Sequence, residues 1–413
     1  MKKLFAISLL IFTIAIMLQN NLSYAQPSLK DPNLKVEAFV SGIASPTSML
    51  FVDENNILVL EKDGNVRLVS NGMLQSQPLV SLSVDSKNER GLLGIEKIGE
   101  NVFLYATVKD GQLINRIYKY TLAPGPELTN EQEFMDLPAT PATNHQGGKL
   151  VASNDGYLYS VTGELQRNGK DQNIVNGPDP DFSGAILKTN ANDGSPAPNN
   201  PFKSDNSNDP INWYQAYGLR NSFGLGIDPV TGALWDTENG PDYGDEINLV
   251  KPGFNSGWYK LQGVWKPKYD SIRGGDLIAG DKLLIPDIDY LENFDGRGEY
   301  SQPEFTWNYT VGPTALKFLH SDSYAKFYKD DLFVGDTNNG YLYHFDLNED
   351  RTSLKLDGVL SDKIAHNPEE LKEIIFGVNF GQITDIDVSP DGYLYILSHY
   401  KNKATIFKIV PSN

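Results

Sequence analysis

The segment from Tyr217 to Trp258 brings polar residues of several chemical kinds together within a short stretch of chain. It contains an Arg-Asn pair (220–221), a Glu-Asn-Gly-Pro turn (238–241) and an Asp-Glu pair (245–246). A guanidinium offers a rigid fork of donors for carboxylate or quinone oxygens, and the neighbouring amide both donates and accepts hydrogen bonds. In an acidic chain, this pair predicts a site for an anionic ligand. The alternative is a structural ion pair between the arginine and a nearby carboxylate.

The turn from Glu238 to Glu246 has the chemistry of a hard-cation site. Pro241 has no backbone donor and Gly240 permits unusual dihedral angles, so the loop can turn carbonyl oxygens inward. Carboxylates close by can complete an oxygen shell, which favours calcium. The spacing differs from that of an EF-hand, and an acidic turn without an ion is the alternative.

His145 is the candidate general base. The chain has five histidines, at 145, 320, 344, 366 and 399, and none forms the close-spaced pair that zinc sites use. His145 is followed by Gly147 and Gly148, which allow close backbone approach, and then by a strand-like run at 149–151. A histidine at the edge of a strand can accept a proton from a bound substrate. A surface histidine is the alternative.

Composition limits the function classes. The chain has 413 residues, a hydrophobic content of 40% and a formal net charge of −18. This length and apolar content predict a folded core. The negative charge opposes binding to nucleic acid or to anionic membranes. The chain has no cysteine, so a disulfide framework and thiolate metal ligands are excluded.

The first 25 residues have the pattern of a secretory signal peptide. Lys2 and Lys3 precede an apolar run at 4–18, and the small residues Ser23 and Ala25 stand at the positions that suit a cleavage site after Ala25. We therefore expect a mature chain that starts near Gln26, has no membrane span and is secreted or periplasmic. An uncleaved membrane anchor is the alternative, and it also places the body outside the cytoplasm.

The body of the chain has the pattern of an all-β protein. Short alternating apolar segments are bounded by turn residues, as successive hairpins require. Clear examples are Ile57–Leu60, Val66–Val69, Val102–Val108 and Arg116–Leu122.

A glycine-containing turn followed by a strand recurs at four places. These are 154–159, 231–235, 339–343 and 390–396. Such repeats are typical of β-propellers, and at roughly forty to seventy residues per blade the mature chain holds about six. We predict one six-bladed β-propeller over 26–413, with a β-sandwich or a two-domain β protein as the alternative. The long polar loops at 163–182, 190–212 and 262–288 are expected to lie on one face.

The order and spacing of the motifs resemble the soluble quinoprotein sugar dehydrogenases, the glucose/sorbosone dehydrogenase family. Members of that family use pyrroloquinoline quinone (PQQ) and calcium on a six-bladed propeller. The resemblance runs from about Val36 to Ile409. Its markers are the segments 89–94, 145–148, 218–221, 238–241 with 245–248, 255–258, 331–335, and 384–385 with 390–395.

The resemblance implies cofactor and substrate contacts at five positions. His145 matches the family's catalytic base, which takes the proton of the anomeric hydroxyl while hydride passes to PQQ. Arg220 and Asn221 match cofactor contacts, with Arg220 stabilising the oxyanion that develops. Glu89 stands where the family has a cofactor-contacting glutamine, and Asp385 matches a residue near the cofactor. The implied reaction partners are an aldose sugar and an external electron acceptor.

The resemblance also implies two calcium sites. The carbonyl oxygens of Gly240 and Pro241 match those that hold the cofactor's calcium, which polarises the quinone. Glu246, with the carbonyl of Ser256, resembles a second, structural calcium site.

Two departures weaken the cationic side of the implied cofactor site. Thr384 stands where the family has arginine, and the loop at 336–339 lacks the family's lysine or arginine. PQQ carries three carboxylates, so each lost charge-assisted contact costs roughly 1 to 3 kcal/mol. Lys317 or His320 is a candidate replacement. A calcium-binding propeller that binds a glycan or protein without catalysis, and a calcium-dependent lactone hydrolase, are the alternative functions.

Overall fold

The computed structural model describes residues 26–167, 173, 175–265, 291–400 and 403–412. The predicted signal peptide at 1–25, and parts of the predicted loops 163–182 and 262–288, lie outside the described residues. No helix within the described ranges is long and apolar enough to cross a membrane. The helices described are three short 3-10 turns at Pro210–Trp213, Gly358–Leu360 and Glu370–Glu373.

The regular structure is otherwise β, with thirty strands in the described part of the chain. In chain order they begin with β1 (Ser28–Leu29), β2 (Leu34–Ile43), β3 (Pro46–Phe51), β4 (Asn56–Glu61), β5 (Asn65–Ser70), β6 (Met73–Leu74), β7 (Val80–Ser81), β8 (Leu92–Ile98), β9 (Asn101–Asp110), β10 (Gln112–Ala123), β11 (Glu127–Pro138), β12 (Leu150–Ala152), β13 (Tyr157–Thr162), β14 (Ala185–Asn190) and β15 (Tyr214–Tyr217). They continue with β16 (Ser222–Ile227), β17 (Leu234–Glu238), β18 (Asp245–Val250), β19 (Phe254–Asn255), β20 (Glu299–Tyr300), β21 (Phe305–Trp307), β22 (Pro313–Phe318), β23 (Ser323–Lys326), β24 (Leu332–Asp336), β25 (Leu342–Phe345), β26 (Ile364–Ala365), β27 (Ile375–Val378), β28 (Gln382–Val388), β29 (Leu394–Tyr400) and β30 (Lys403–Pro411).

These strands form sheets that follow one another along the chain. Within the described residues the strand orders are β3-β4-β5-β6 with β7 beside β5, β8-β9-β10-β11, β12-β13-β14-β15-β19-β20, β16-β17-β18-β21-β26, β22-β24-β25-β27-β1, and β28-β29-β30-β2. The first strand of each sheet contacts the first strand of the next, and β28 of the last sheet contacts β3 of the first. The sheets therefore surround a common axis, and the prediction of an all-β propeller is confirmed.

The ring is closed by strands from both ends of the described chain. β2 pairs antiparallel with β30, in a register that runs from Leu34 opposite Pro411 to Ile43 opposite Ala404. Apolar side chains pack between neighbouring sheets, as where Trp235 and Trp307 meet Phe318 and Tyr343 of the next sheet. Packing between sheets thus supplies the core that no single sheet could form.

The predicted repeat corresponds to a structural unit at two of its four positions. Lys188 lies over both tyrosines of the turn at 153–159, with its ammonium 4.7 and 5.4 Å from the ring centroids. Lys408 lies over both tyrosines of the turn at 389–395, at 4.2 and 5.3 Å. The turn at 231–232 also joins the first two strands of its sheet, whereas that at 339–340 joins the second and third.

The prediction that the long loops lie on one face is wrong. The loop at 163–182 connects β13 to β14, and the loop at 190–212 connects β14 to β15. Since these strands pair antiparallel, the two loops leave opposite ends of β14 and lie on opposite faces. The length of a loop gives no information on the direction of the strands that it joins, and that direction decides on which face of the propeller the loop lies.

Asp228 and Arg351 form an ion pair that ties neighbouring sheets together. The carboxylate of Asp228 is buried and accepts two hydrogen bonds from Arg351 Nε, at 3.0 and 2.8 Å. Burial alone would raise the pKa of Asp228, but hydrogen bonds from Arg351 and Thr231 outweigh it and hold that pKa below its usual value. The pair therefore contributes stability above the unfolded-state pKa and loses it as the pH falls through the folded-state pKa.

We expect Asp228→Asn to lower the free energy of unfolding by about 3 kcal/mol at pH 7, because it leaves a partly buried guanidinium without its counter-charge. The difference from the wild type should start to shrink as the pH falls below about 4, and it should be lost only below the lowered folded-state pKa, where the wild-type carboxylate is itself protonated. Urea unfolding at both pH values measures this, with the exposed Glu54→Gln as the control. An equal loss at both pH values would show that packing, and not charge, holds this contact.

Candidate active site

One face of the ring gathers the polar residues that the sequence singles out. Glu89, His145 and the pair 220–221 each lie just before the first strand of a sheet. Glu164 and the turn 238–241 follow the second strands of two of these sheets. Because the first strands surround the axis and run in the same direction, these loops converge at one end of it.

His145 is held by a carboxylate that the sequence reasoning missed. Its Nδ1 forms a hydrogen bond with Oε1 of Glu164, and both side chains are buried. Oε2 of Glu164 accepts a hydrogen bond from the backbone N–H of Arg167 at 2.6 Å. A carboxylate partner at Nδ1 fixes the tautomer that leaves Nε2 free to accept a proton. Nε2 makes no hydrogen bond with any residue in the described ranges.

Two glycines let the loops of this pair approach each other. Gly147 has a φ of +64°, and a Cβ there would lie 2.7 Å from the carbonyl oxygen of Val161. A Cβ at Gly163 would lie 2.3 Å from the carbonyl oxygen of His145. The sequence predicted a close backbone approach around His145. In the structure this approach is between the His145 loop and the end of β13.

Glu89 and Asn221 tie the His145 loop to its neighbours. Oε2 of Glu89 accepts hydrogen bonds from the backbone N–H of His145 at 2.6 Å and from Nδ2 of Asn221 at 3.0 Å. Oδ1 of Asn221 accepts from the backbone N–H of Gly147 at 3.2 Å. Glu89 thus acts as a hydrogen-bond acceptor. A carboxylate can fill this role at a position where the resemblance leads us to expect a glutamine.

Arg220 lies between the histidine loop and the acidic turn. Its Nη1 donates to the carbonyl oxygen of Asn239 at 2.6 Å, and its guanidinium lies 5.2 Å from the ring of Trp258. Its Nε is buried and has no partner among the described residues. Burial lowers the pKa of Arg220, and the carboxylates of Glu164 and Glu238 oppose that shift. The contact with Trp258 was not predicted, although this residue belongs to a marker segment.

Three buried carboxylates lie behind the turn. β17 and β18 pair so that Glu238 is directly opposite Glu246, and Asp236 lies two residues along β17. Burial raises the pKa of Glu238 to about 7. Burial and the nearby charge of Glu238 also raise the pKa of both Asp236 and Glu246. Ser256 donates its hydroxyl to Oε2 of Glu238 at 2.6 Å and lies 3.4 Å from Oε2 of Glu246. Such a group of buried acids is stabilised by a cation.

The turn at Gly240 and Pro241 leaves oxygen atoms available for such a cation. Asp245 holds the turn by accepting from the backbone N–H of Gly240 at 2.8 Å, and it also accepts from Val311 and Gly312. The carbonyl oxygens of Gly240 and Pro241 accept no hydrogen bond from the described part of the chain. These two oxygens therefore fit the role of calcium ligands that the resemblance implies.

A cavity of about 470 Å³ opens beside this constellation. Its lining includes Glu89, Gly147 and Asn239, which lie next to or are bonded to the residues above, together with Lys62 and Lys149. This volume lies within the range of small-molecule sites.

Asp385 lines a second, larger cavity of about 650 Å³ along the axis, and its partner Lys149 lines both cavities. Its Oδ1 pairs with Nζ of Lys149 at 2.5 Å, and its Oδ2 accepts from the backbone N–H of Met49 at 2.9 Å. Asp385 of β28 therefore links its strand to β3 and to the residue before β12. Its role as a cofactor contact stays a prediction. Lys317 and His320 line the axial cavity and do not line the cavity beside His145.

The fold and the site together define a class of protein. It is a β-propeller that has, at one end of its axis, a histidine hydrogen-bonded to a carboxylate and an acidic turn suited to binding a cation. The model of the glucose/sorbosone dehydrogenase family matches residues 43–408, and the chain belongs to that family. The family resemblance predicted from the sequence is thereby confirmed.

Individual relatives are similar to this chain over nearly its whole length. The chain is 24% identical to the aldose sugar dehydrogenase YliI of Escherichia coli over 404 residues, which cover 92% of this chain and 94% of that protein. The structure of the soluble aldose sugar dehydrogenase of E. coli in its apo form has a TM-score of 0.69 at 23% identity, covering 92% of this chain and 99% of that one. The PQQ-bound aldose sugar dehydrogenase of Streptomyces coelicolor has a TM-score of 0.64 at 20% identity, covering 93% and 99%.

Proposed function

We propose that this protein is an exported, PQQ- and calcium-dependent dehydrogenase that oxidises the anomeric carbon of an aldose to its lactone. The observation that carries the proposal is His145, whose Nδ1 is held by Glu164 while Nε2 has no partner in the described residues. Family membership supports a sugar oxidoreductase. In this proposal, each sheet of the ring is one blade of a six-bladed propeller.

His145 is the general base of the proposed reaction. Nε2 takes the proton of the anomeric hydroxyl, and the Glu164 carboxylate stabilises the imidazolium that forms. PQQ, when bound, supplies the two-electron acceptor for the hydride that leaves the anomeric carbon. Arg220 has a buried guanidinium with a free Nε, which can donate to an oxygen that gains negative charge. Glu89 and Asn221 keep the His145 loop in position.

Calcium fits the acidic turn for two reasons. The carbonyl oxygens of Gly240 and Pro241 have no hydrogen-bond donor among the described residues, and hard oxygen ligands suit calcium. Glu246, with the carbonyl oxygen of Ser256, would hold a second ion next to Glu238, where three buried carboxylates lie close together. A calcium ion at the first position would polarise a bound carbonyl group, and one at the second would stabilise the fold.

Export rests on the sequence of residues 1–25, which have the charge and apolar pattern of a signal peptide. An exported dehydrogenase passes its electrons to an external acceptor, so the proposed partners are an aldose and such an acceptor. The negative charge of the chain supports the absence of nucleic acid and anionic membranes from this list.

Reconstitution tests the proposed function. The chain without residues 1–25 is loaded with calcium and PQQ, and the reduction of an artificial acceptor is followed on addition of an aldose. Sugar-dependent reduction that needs both PQQ and calcium is the expected result. Absence of turnover, together with an unchanged PQQ spectrum, would contradict the proposal.

A binding protein without redox chemistry is the second candidate. Thr384 lines the cavity where the family has arginine, which removes a cation from an anionic cofactor's surroundings. Sugar binding without turnover in the reconstitution assay would favour this candidate. Lactone hydrolysis that persists without PQQ would instead favour a calcium-dependent hydrolase.

The response to calcium gives a prediction of stability. Calcium at about 100 times its dissociation constant should stabilise the wild type by about 2.7 kcal/mol, observed as a rise in melting temperature. Glu246→Gln should melt below the wild type without calcium, because Asn248, Gln262 and the backbone N–H of Gly263 donate to the two oxygens of Glu246, and the amide nitrogen that replaces one oxygen cannot accept. The same variant should gain less from calcium. Differential scanning calorimetry with and without EDTA measures both, with Glu54→Gln as control, and an equal gain in the two variants would exclude Glu246 as a ligand.

A further inference from the structure

Lys62 lies at the mouth of the cavity beside His145. It directly follows β4, and its side chain packs so closely over Gly91 that a Cβ there would lie 2.7 Å from Lys62 Cγ. Its Nζ donates to the carbonyl oxygen of Ser86 at 3.0 Å and to that of Asn88. The ammonium is therefore fixed beside the loop that carries Glu89, and it lines the cavity.

Lys62 has no carboxylate partner among the described residues, unlike the other lysines of the two cavities. Lys149 pairs with Asp385 at 2.5 Å, and Lys317 pairs with Asp387 at 2.6 Å. No carboxylate among the described residues lies within 4.0 Å of Lys62 Nζ. In a chain with a net charge of −18, an unpaired ammonium facing a cavity is suited to an anionic ligand.

The hydroxyl groups of the cavity do not supply this attraction. Thr47 donates its Oγ1 hydrogen to the carbonyl oxygen of Leu92 at 2.8 Å, and Ser48 donates to that of Leu93 at 2.9 Å. Their hydrogens are thus used within the protein, which leaves lone pairs for a ligand. A carboxylate would be repelled by lone pairs and attracted by Lys62.

We propose that Lys62 binds a carboxylate group of the anionic ligand in this cavity, which under the proposed function is a carboxylate of PQQ. This inference rests on the proposed function. Lys62, in the turn after β4, would supply a positive charge to the ligand, whereas residues 384 and 336–339 supply none. Lys62 is a binding residue in this assignment and takes no part in proton transfer.

The test compares PQQ with its uncharged trimethyl ester on the calcium-loaded protein. Isothermal titration calorimetry gives the dissociation constants for the wild type, Lys62→Met, Lys62→Arg and the exposed control Lys251→Met. Lys62→Met should weaken PQQ binding by about 10- to 100-fold, as expected for a lost charge-assisted contact, and should leave binding of the ester unchanged. Lys62→Arg should retain most of the affinity, and Lys251→Met should match the wild type.

Three outcomes overturn the inference, and they separate it from the proposed function. Equal PQQ affinity of Lys62→Met and the wild type shows that Lys62 does not bind the ligand. Equal weakening of PQQ and ester shows that Lys62 only shapes the loop at 86–89. Absence of PQQ binding by the wild type removes the proposed function itself, and this inference with it. Melting temperatures of all variants confirm that each one is folded.

Discussion

His145→Ala lowers the rate of aldose oxidation by about 10²- to 10⁴-fold in the PQQ- and calcium-loaded protein, as expected when a general base is removed. The substitution deletes Nε2, the one ring nitrogen that the described residues leave free. The backbone contacts of the loop survive, since its N–H donates to Glu89 and its carbonyl accepts from Leu165. Turnover should therefore fall without loss of the fold.

Steady-state kinetics and the melting temperature measure this prediction together. His320→Ala is the matched control, because His320 is exposed and lies on the axial cavity. It should retain wild-type turnover. A His145→Ala variant that turns over within about tenfold of the wild type would rule out His145 as the base. Parallel loss of turnover and of folding would assign it a structural role.

Glu164→Gln should lower turnover by about 10²- to 10⁴-fold, the range seen when the carboxylate that orients a catalytic histidine is neutralised. The amide keeps the shape of the side chain and can still accept from the backbone N–H of Arg167. It loses the negative charge that stabilises the imidazolium of His145. The effect should appear in kcat, with KM nearly unchanged, because Glu164 acts through His145 and not on the sugar.

The double variant His145→Ala/Glu164→Gln provides the control for this prediction. If the two residues act as a unit, the double variant should be no slower than His145→Ala alone. If the rate losses of the two single variants multiply in the double variant, Glu164 has a role separate from that of His145. An unchanged kcat in Glu164→Gln alone would remove the pair from the mechanism.

Local patterns sufficed for much of the fold. The alternating segments at 57–60 and 102–108 became β4 and β9, because residue alternation and bounding turns are local properties. The face on which a loop lies depends on strand direction, which is set by pairing over the whole sheet. The loop at 190–212 was misplaced for this reason.

The candidate site was predicted as a set of positions, and its contacts were not. Arg220, Gly240 and Glu246 were singled out because their residue types and spacing are legible in one short segment. Glu164 escaped notice since its closeness to His145 arises from the pairing of β12 with β13. Asp385 was placed near the cofactor by motif alone, and its pairing with Lys149, which lines both cavities, could not be read from the sequence.

Transfer of the anomeric hydride is the central claim, and an anaerobic single-turnover measurement tests it most directly. The protein loaded with calcium and PQQ is mixed with an aldose in a stopped-flow spectrophotometer, and with the same aldose deuterated at carbon 1. We predict loss of the oxidised-cofactor absorbance, slower with the deuterated sugar, and formation of one lactone per cofactor. An unchanged spectrum, or equal rates for the two sugars with no lactone formed, would contradict the account.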